Sequence, residues 1–149
     1  MSLDLSASAL GRSITADDVV DTLSFFDDWE QRYQYIIDLG KSLPTFPDDL
    51  RTDERLVRGC QSQVWLEVAH DAASQRMDFG VDSDALIVRG LGAIVLAAIN
   101  HRSPADVLAF DMEDYFARID LLKHLSPTRG NGIRAMVARI RAAAETAQG

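Results

Sequence analysis

The chain has 149 residues, 47% of them hydrophobic and 26% charged, which suits one compact domain and excludes a disordered composition. At this length roughly two-thirds of the unfolded chain's surface is buried on folding, so a core needs no disulfide or metal staple. The formal net charge of −8 excludes a general nucleic-acid binder, which needs a net basic face against phosphates.

Met1 to Ser13 has no apolar core segment and a single basic residue, Arg12. It is read as neither a signal peptide nor an Arg-rich transit peptide, but as a flexible lead-in (1–13) to a single domain over 14–149. Thr15 is placed to cap a helix, with Asp18 three residues on. Val19, Leu23, Phe26, Tyr33 and Ile37 follow at mostly helical spacing to a stop at Gly40, which predicts a long or broken helix over 16–39 with its aromatics in the core. Leu43-Pro44-Thr45-Phe46-Pro47 ends regular structure, a polar loop runs to about Glu54, and Leu56-Val57 is a candidate short strand.

Two stronger strand signals come next. Val64, Leu66 and Val68 alternate with polar or aromatic neighbours, as do Met77, Phe79 and Val81, and His70 to Gln75 is short enough for an antiparallel hairpin. After Ser83 the chain reads as helical. Ser83 is expected to cap an apolar helix over 84–100, whose uninterrupted apolar run falls short of the ~20 residues that span a bilayer. Ser103-Pro104 and Ser126-Pro127 each pair a capping hydroxyl with proline at the first helical position, and a short helix is expected around Met112 to Ile119. Ile133, Met136, Val137 and Ile140 fit one helical face. Arg129, Arg134, Arg139 and Arg141 on the same segment make either a local basic face or a solvated surface. Gly130 and Gly132 each cost up to about 1 kcal/mol relative to alanine near the start of that helix, which predicts a loose first turn. The order is α+β, with helices packed on a small antiparallel sheet.

The single cysteine excludes an internal disulfide and a Cys-rich zinc or cluster site, and suits a reducing compartment. His70, His101 and His124 show no ligand spacing. Cys60 follows Gly59, which permits a tight turn beside the sulfur, and precedes a strand. From the residues alone two readings stand: a reactive thiol on a loop tip, or a small buried hydrophobe.

Four blocks bear on the choice. They are Trp29-Glu30-x-Arg32-Tyr33-x-Tyr35-Ile36-Ile37-x-Leu39-Gly40 with Leu43-Pro44, Val57-x-Gly59-Cys60-Gln61-Ser62-Gln63-Val64-Trp65, Asp82-Ser83-Asp84-Ala85-x-Ile87-Val88-x-Gly90-Leu91, and His124-Leu125-Ser126-Pro127-x-Arg129-x-x-Gly132. In this order, over about residues 18–142, they resemble the SufE family. The resemblance implies a fold shared with IscU-type scaffolds: a small curved antiparallel sheet of about three strands packed with helices, with Leu56-Val57 as the third. It implies a sulfur acceptor that takes persulfide sulfur from a pyridoxal-phosphate cysteine desulfurase (SufS/CsdA-like) onto Cys60 and stimulates that enzyme. The sulfur then passes to iron–sulfur cluster assembly on a SufBCD-type scaffold.

The resemblance makes the chain a non-classical sulfurtransferase component with no cofactor or metal of its own, the pyridoxal phosphate residing on the desulfurase. No nucleic-acid or membrane partner is expected. A cytoplasmic location and a monomer or weak homodimer are expected. Such chemistry needs a thiolate, reach and protection. Arg129 is the candidate cation beside the thiol, or else the partner of Asp84 in a helix-terminal ion pair. Asp84 is otherwise structural, in the first turn of a helix. Gly59, Gln61, Ser62 and Gln63 are expected to shape and order the loop. A desulfurase-binding adaptor of the CsdE-like branch, routing sulfur elsewhere, is the alternative. A one-Cys peroxidase or redox sensor has no further motif behind it.

Overall fold

A computed structural model describes residues 4–58 and 62–148, with His124 by its backbone alone. Its elements are α1 (Ala16–Phe25), α2 (Trp29–Gly40), β1 (Val64–Asp71), β2 (Arg76–Ser83), α3 (Leu86–Ile99), α4 (Pro104–Ala109), α5 (Met112–Arg118) and α6 (Pro127–Gln148). Helices pack around a small antiparallel sheet, the α+β arrangement expected.

The helix expected over 16–39 is broken into two, each with its own cap. Thr15 and Asp18 form a reciprocal capping box at α1, Oγ1 accepting from the Asp18 amide at 3.3 Å and Oδ2 accepting from the Thr15 amide at 2.9 Å. Asp28 opens α2 by accepting from the Gln31 amide at 2.8 Å. Phe26, extended between them, gives its carbonyl to the Arg32 guanidinium at 3.1 Å.

The core is built on α3, all of whose 14 residues except Leu86 and Arg89 are buried. α2 crosses it almost backbone to backbone. A methyl at Gly90 would sit 2.1 Å from the Ile36 carbonyl oxygen, and one at Gly40 would sit 2.9 Å from the Gly90 nitrogen. Gly40, expected as a helix stop, is the last residue of α2 and serves this close approach. Ser83 does not open α3 as a side-chain cap. The helix starts at Leu86 behind Ala85, whose side chain caps nothing, because the Ser83 hydroxyl donates to the Gln63 carbonyl at 2.6 Å while accepting from the Ala85 amide.

The sheet pairs β1 with β2 in the register Val64↔Ser83 through Asp71↔Arg76. It is smaller than the three strands expected. Leu56 makes one antiparallel bridge to Trp65 and no more, since the Arg55 amide, which the next rung would direct to the Leu66 carbonyl, is taken by the Thr52 carbonyl in a local turn at 3.2 Å.

Residues 4–13, expected as part of a flexible lead-in, pack into the body instead. Leu5, Ser8 and Leu10 are buried. The C-terminal end of α3 carries the side chains that hold them. Asn100 donates to the Leu10 carbonyl at 3.1 Å and accepts the Phe79 amide at 2.8 Å. The His101 ring lies between Asp78, at 2.6 Å, and the Ser8 carbonyl, at 2.9 Å. A polar pair buried at a helix end needs such partners, and the N-terminal segment supplies the two carbonyls.

Candidate functional site

Cys60, Gly59 and Gln61 lie outside the described residues, and the site is built from what flanks them. On the near side, the Val57 amide donates to the Val64 carbonyl at 2.8 Å and the Leu66 amide to the Arg55 carbonyl at 3.0 Å. These bonds set residues 55–57 beside residues 64–66. On the far side, Gln63 is pinned by the turn into α3: its amide donates to Asp84 Oδ1 at 3.1 Å, and its carbonyl accepts from Ser83 Oγ and from the Asp84 amide. Asp84 is exposed and works as a loop tether. Among the described residues no ion pair joins it to Arg129.

Beneath the sheet end, a buried carboxylate ties three segments together. Asp82 accepts from Arg51 Nε at 2.8 Å, and Arg89 Nε lies 3.0 Å from its other oxygen. The Arg51 guanidinium also lies 5.9 Å from the Trp65 ring centre, close enough for a cation–π contact. The hydrogen bond to Asp82 raises the Arg51 pKa, keeping it charged.

Ser62 and Arg129 come together. With Val88, Leu91, Thr128, Gly132, Ile133 and Met136 they line a small, partly open pocket of about 30 Å³ between the start of α3 and the first turns of α6. The walls are apolar apart from Ser62, Thr128 and the arginine. Arg129 Nη1 is buried there and has no hydrogen-bond partner among the described residues. The first turn of α6 that presents Arg129 is built as expected from Ser126, whose hydroxyl accepts the Arg129 amide at 3.2 Å. Gly130 and Gly132 are buried in the first two turns of α6.

The other arginines of α6 form no shared basic face. Arg134 pairs with Glu113 at 3.3 Å and Arg141 donates to the Leu108 carbonyl at 3.1 Å. Arg139 reaches the cysteine loop's near leg, donating to the carbonyls of Leu56 and Glu54. Sequence reasoning missed that role. Its only signal is a helical one, since Arg139 follows Met136 by three residues and so shares a side of α6 with the pocket wall. Among the described residues no group of histidine, cysteine and acidic side chains is arranged to hold a metal. No helix there is long and apolar enough to cross a membrane.

Residues 17–144 match the SufE family, described as an Fe–S metabolism associated domain. The chain belongs to the SufE family. A SufE-like protein of Rhizobium meliloti strain 1021 is 47% identical over 132 residues, covering 87% of this chain and 94% of that one. A SufE-like protein of Rhizobium etli is 48% identical over 128 residues, covering 84% and 86%. The fold is also that of a hypothetical protein from Thermus thermophilus solved in solution, with a TM-score of 0.72 at 16% identity, covering 89% of this chain and 95% of that one. Within this SufE-family chain, the stretches that flank the motif cysteine are thus tethered by Asp84, Ser83 and Arg139, and Ser62 lines the Arg129 pocket.

Proposed function

We propose that this SufE-family chain is the sulfur acceptor for a pyridoxal-phosphate cysteine desulfurase, with Cys60 as the acceptor thiol. The Cys60 thiolate attacks the outer sulfur of the desulfurase's cysteine persulfide. One sulfur–sulfur bond forms on Cys60, the one on the desulfurase breaks, and the desulfurase leaves as a thiolate, so no outside oxidant or reductant is needed. The sulfur then passes to an iron–sulfur cluster scaffold. A free thiol near pKa ~8.5 is only a few per cent ionised at neutral pH, so the reaction gains from a cation.

The observation that carries this reading is the Arg129 guanidinium. One of its nitrogens is buried without a partner among the described residues, in a largely apolar pocket that Ser62 also lines. Two peptide units separate Cys60 from Ser62, which keeps their Cα atoms within about 7 Å. Gly59 and Gln61 complete the loop in this reading. A chain that works as a free thiol suits the reducing cytoplasm.

The test is to incubate the protein with a cognate desulfurase and cysteine and weigh the intact chain. A gain of about 32 Da, one sulfur atom, is expected; Cys60→Ser abolishes it, and Arg129→Met slows its appearance about tenfold. A chain that stays unmodified beside an active desulfurase overturns the reading. Desulfurase stimulation that survives Cys60→Ser would favour an adaptor that routes sulfur elsewhere.

A further inference from the structure

The two legs of the cysteine loop are held by different means. The far leg enters β1 and is fixed by Ser83 and Asp84. The near leg, residues 54–58, belongs to no regular element. Its main chain meets β1 in a single rung, with Val57 donating to Val64 and Leu66 donating to Arg55, and the Arg55 side chain adds an ion pair to Glu67 of β1 at 3.1 Å. Because successive residues of an extended chain direct their main-chain groups to opposite sides, this rung turns the Leu56 carbonyl outward, where the next strand of a wider sheet would pair with it; the Glu54 carbonyl lies in the turn just before it. No strand is there among the described residues. The Arg139 guanidinium occupies that edge: Nη1 donates to the Leu56 carbonyl at 3.1 Å and Nη2 to the Glu54 carbonyl at 2.5 Å. A planar fork with fixed donors suits two carbonyls on one edge better than a lysine ammonium does. Arg139 has no carboxylate partner among the described residues, so both recorded side-chain bonds go to this leg.

We propose that Arg139 is a positioning residue for sulfur acceptance: its guanidinium stands in for a third strand and fixes the near leg of the cysteine loop. This rests on Cys60 being the acceptor. With both legs held, the segment that carries the acceptor thiol starts and ends at fixed points, which restricts the path by which the thiol meets a partner's persulfide. Releasing the near leg widens that path and lowers the fraction of encounters in attacking geometry.

The test uses the full chain carrying Arg139→Met, which keeps a long stem and loses the fork, and Arg139→Lys. By hydrogen exchange, Arg139→Met speeds exchange of the Val57 and Leu66 amides about tenfold, while amides in the middle of α3 are unchanged. In desulfurase-coupled transfer it lowers kcat several-fold with KM for the acceptor little changed, and Arg139→Lys recovers part of both effects. The proposal is overturned if the Val57 and Leu66 amides exchange as in the unsubstituted protein. It is also overturned if α3 speeds up equally, which marks a general stabilising role, or if transfer keeps its kcat. The exchange measurement involves no desulfurase. A protein that takes no sulfur in any form would sink the acceptor reading while leaving the near-leg tether to be judged by exchange.

Discussion

Tyr115 shows how a buried polar group is tied to its surroundings at the residue scale. It is buried beneath α3, stacks on Phe116 with ring centres 6.0 Å apart, and donates its hydroxyl to the Ile94 carbonyl at 2.9 Å. Burial pushes its phenol well above the ordinary tyrosine range. Since the native state keeps the proton longer than the unfolded chain does, this group's contribution to stability is complete below about pH 10 and drains away as pH rises further. Half-buried Tyr35 is shifted in the same direction by burial. Tyr115→Phe is therefore expected to cost about 1 kcal/mol at neutral pH, the net value of a hydrogen bond. It should also flatten, without abolishing, the fall in urea midpoint between about pH 10 and 11.5. A fall of unchanged steepness would show that Tyr115 titrates alike in the folded and unfolded chain. The arginines of α6 teach a related lesson. Arg129, Arg134, Arg139 and Arg141 look alike in the sequence, yet one faces a pocket, one pairs with a carboxylate and two hold carbonyls.

The crossing of α2 on α3 is decided between elements. Alanine is the better helix former by about 1 kcal/mol, so propensity alone would make Gly90→Ala stabilising. The methyl, however, would meet the Ile36 carbonyl oxygen at 2.1 Å and the carbonyl carbon at 2.6 Å. These are backbone atoms that cannot swing aside, and moving α2 disturbs the core around Ile36 and Leu39. Overpacking of this kind costs about 1–3 kcal/mol or more and wins over propensity. Gly90→Ala is expected to lower the urea midpoint with the slope unchanged; a midpoint that rises would mean that α2 shifts at little cost. At this scale much was legible. The capping box at Thr15, the Ser103 and Ser126 caps and the β1–β2 hairpin all rest on residues within a few positions of one another, so local sequence carries them. The break after Phe25 was only half legible, because Asp28 as a second cap competes with an otherwise continuous helical pattern. The third strand fell to a single bridge because a local turn from Thr52 takes the Arg55 amide, and that competition depends on the placement of the whole segment.

Across the whole molecule, the N-terminal segment is part of the fold. Removing residues 1–13 strips away Leu5 and Leu10, each fully buried side chain being worth about 1.5–3 kcal/mol, and leaves Asn100 Nδ2 and His101 Nε2 without the carbonyls they hold. A loss of several kcal/mol is expected, seen as a markedly lower urea midpoint. Unchanged stability would mean that this segment packs without contributing. By itself the sequence determined the α+β class, most element boundaries and the family, and it singled out Cys60 and Arg129. Those properties follow from short-range periodicity, capping chemistry and contiguous motif blocks. Tertiary structure alone decided which side chains hold the cysteine loop and the N-terminus. Arg139 lies 83 residues from Leu56, Asn100 lies 90 from Leu10 and His101 lies 93 from Ser8. No period or spacing in the chain links such pairs; only the packing of α3 and α6 against the sheet brings a donor to a carbonyl across that distance.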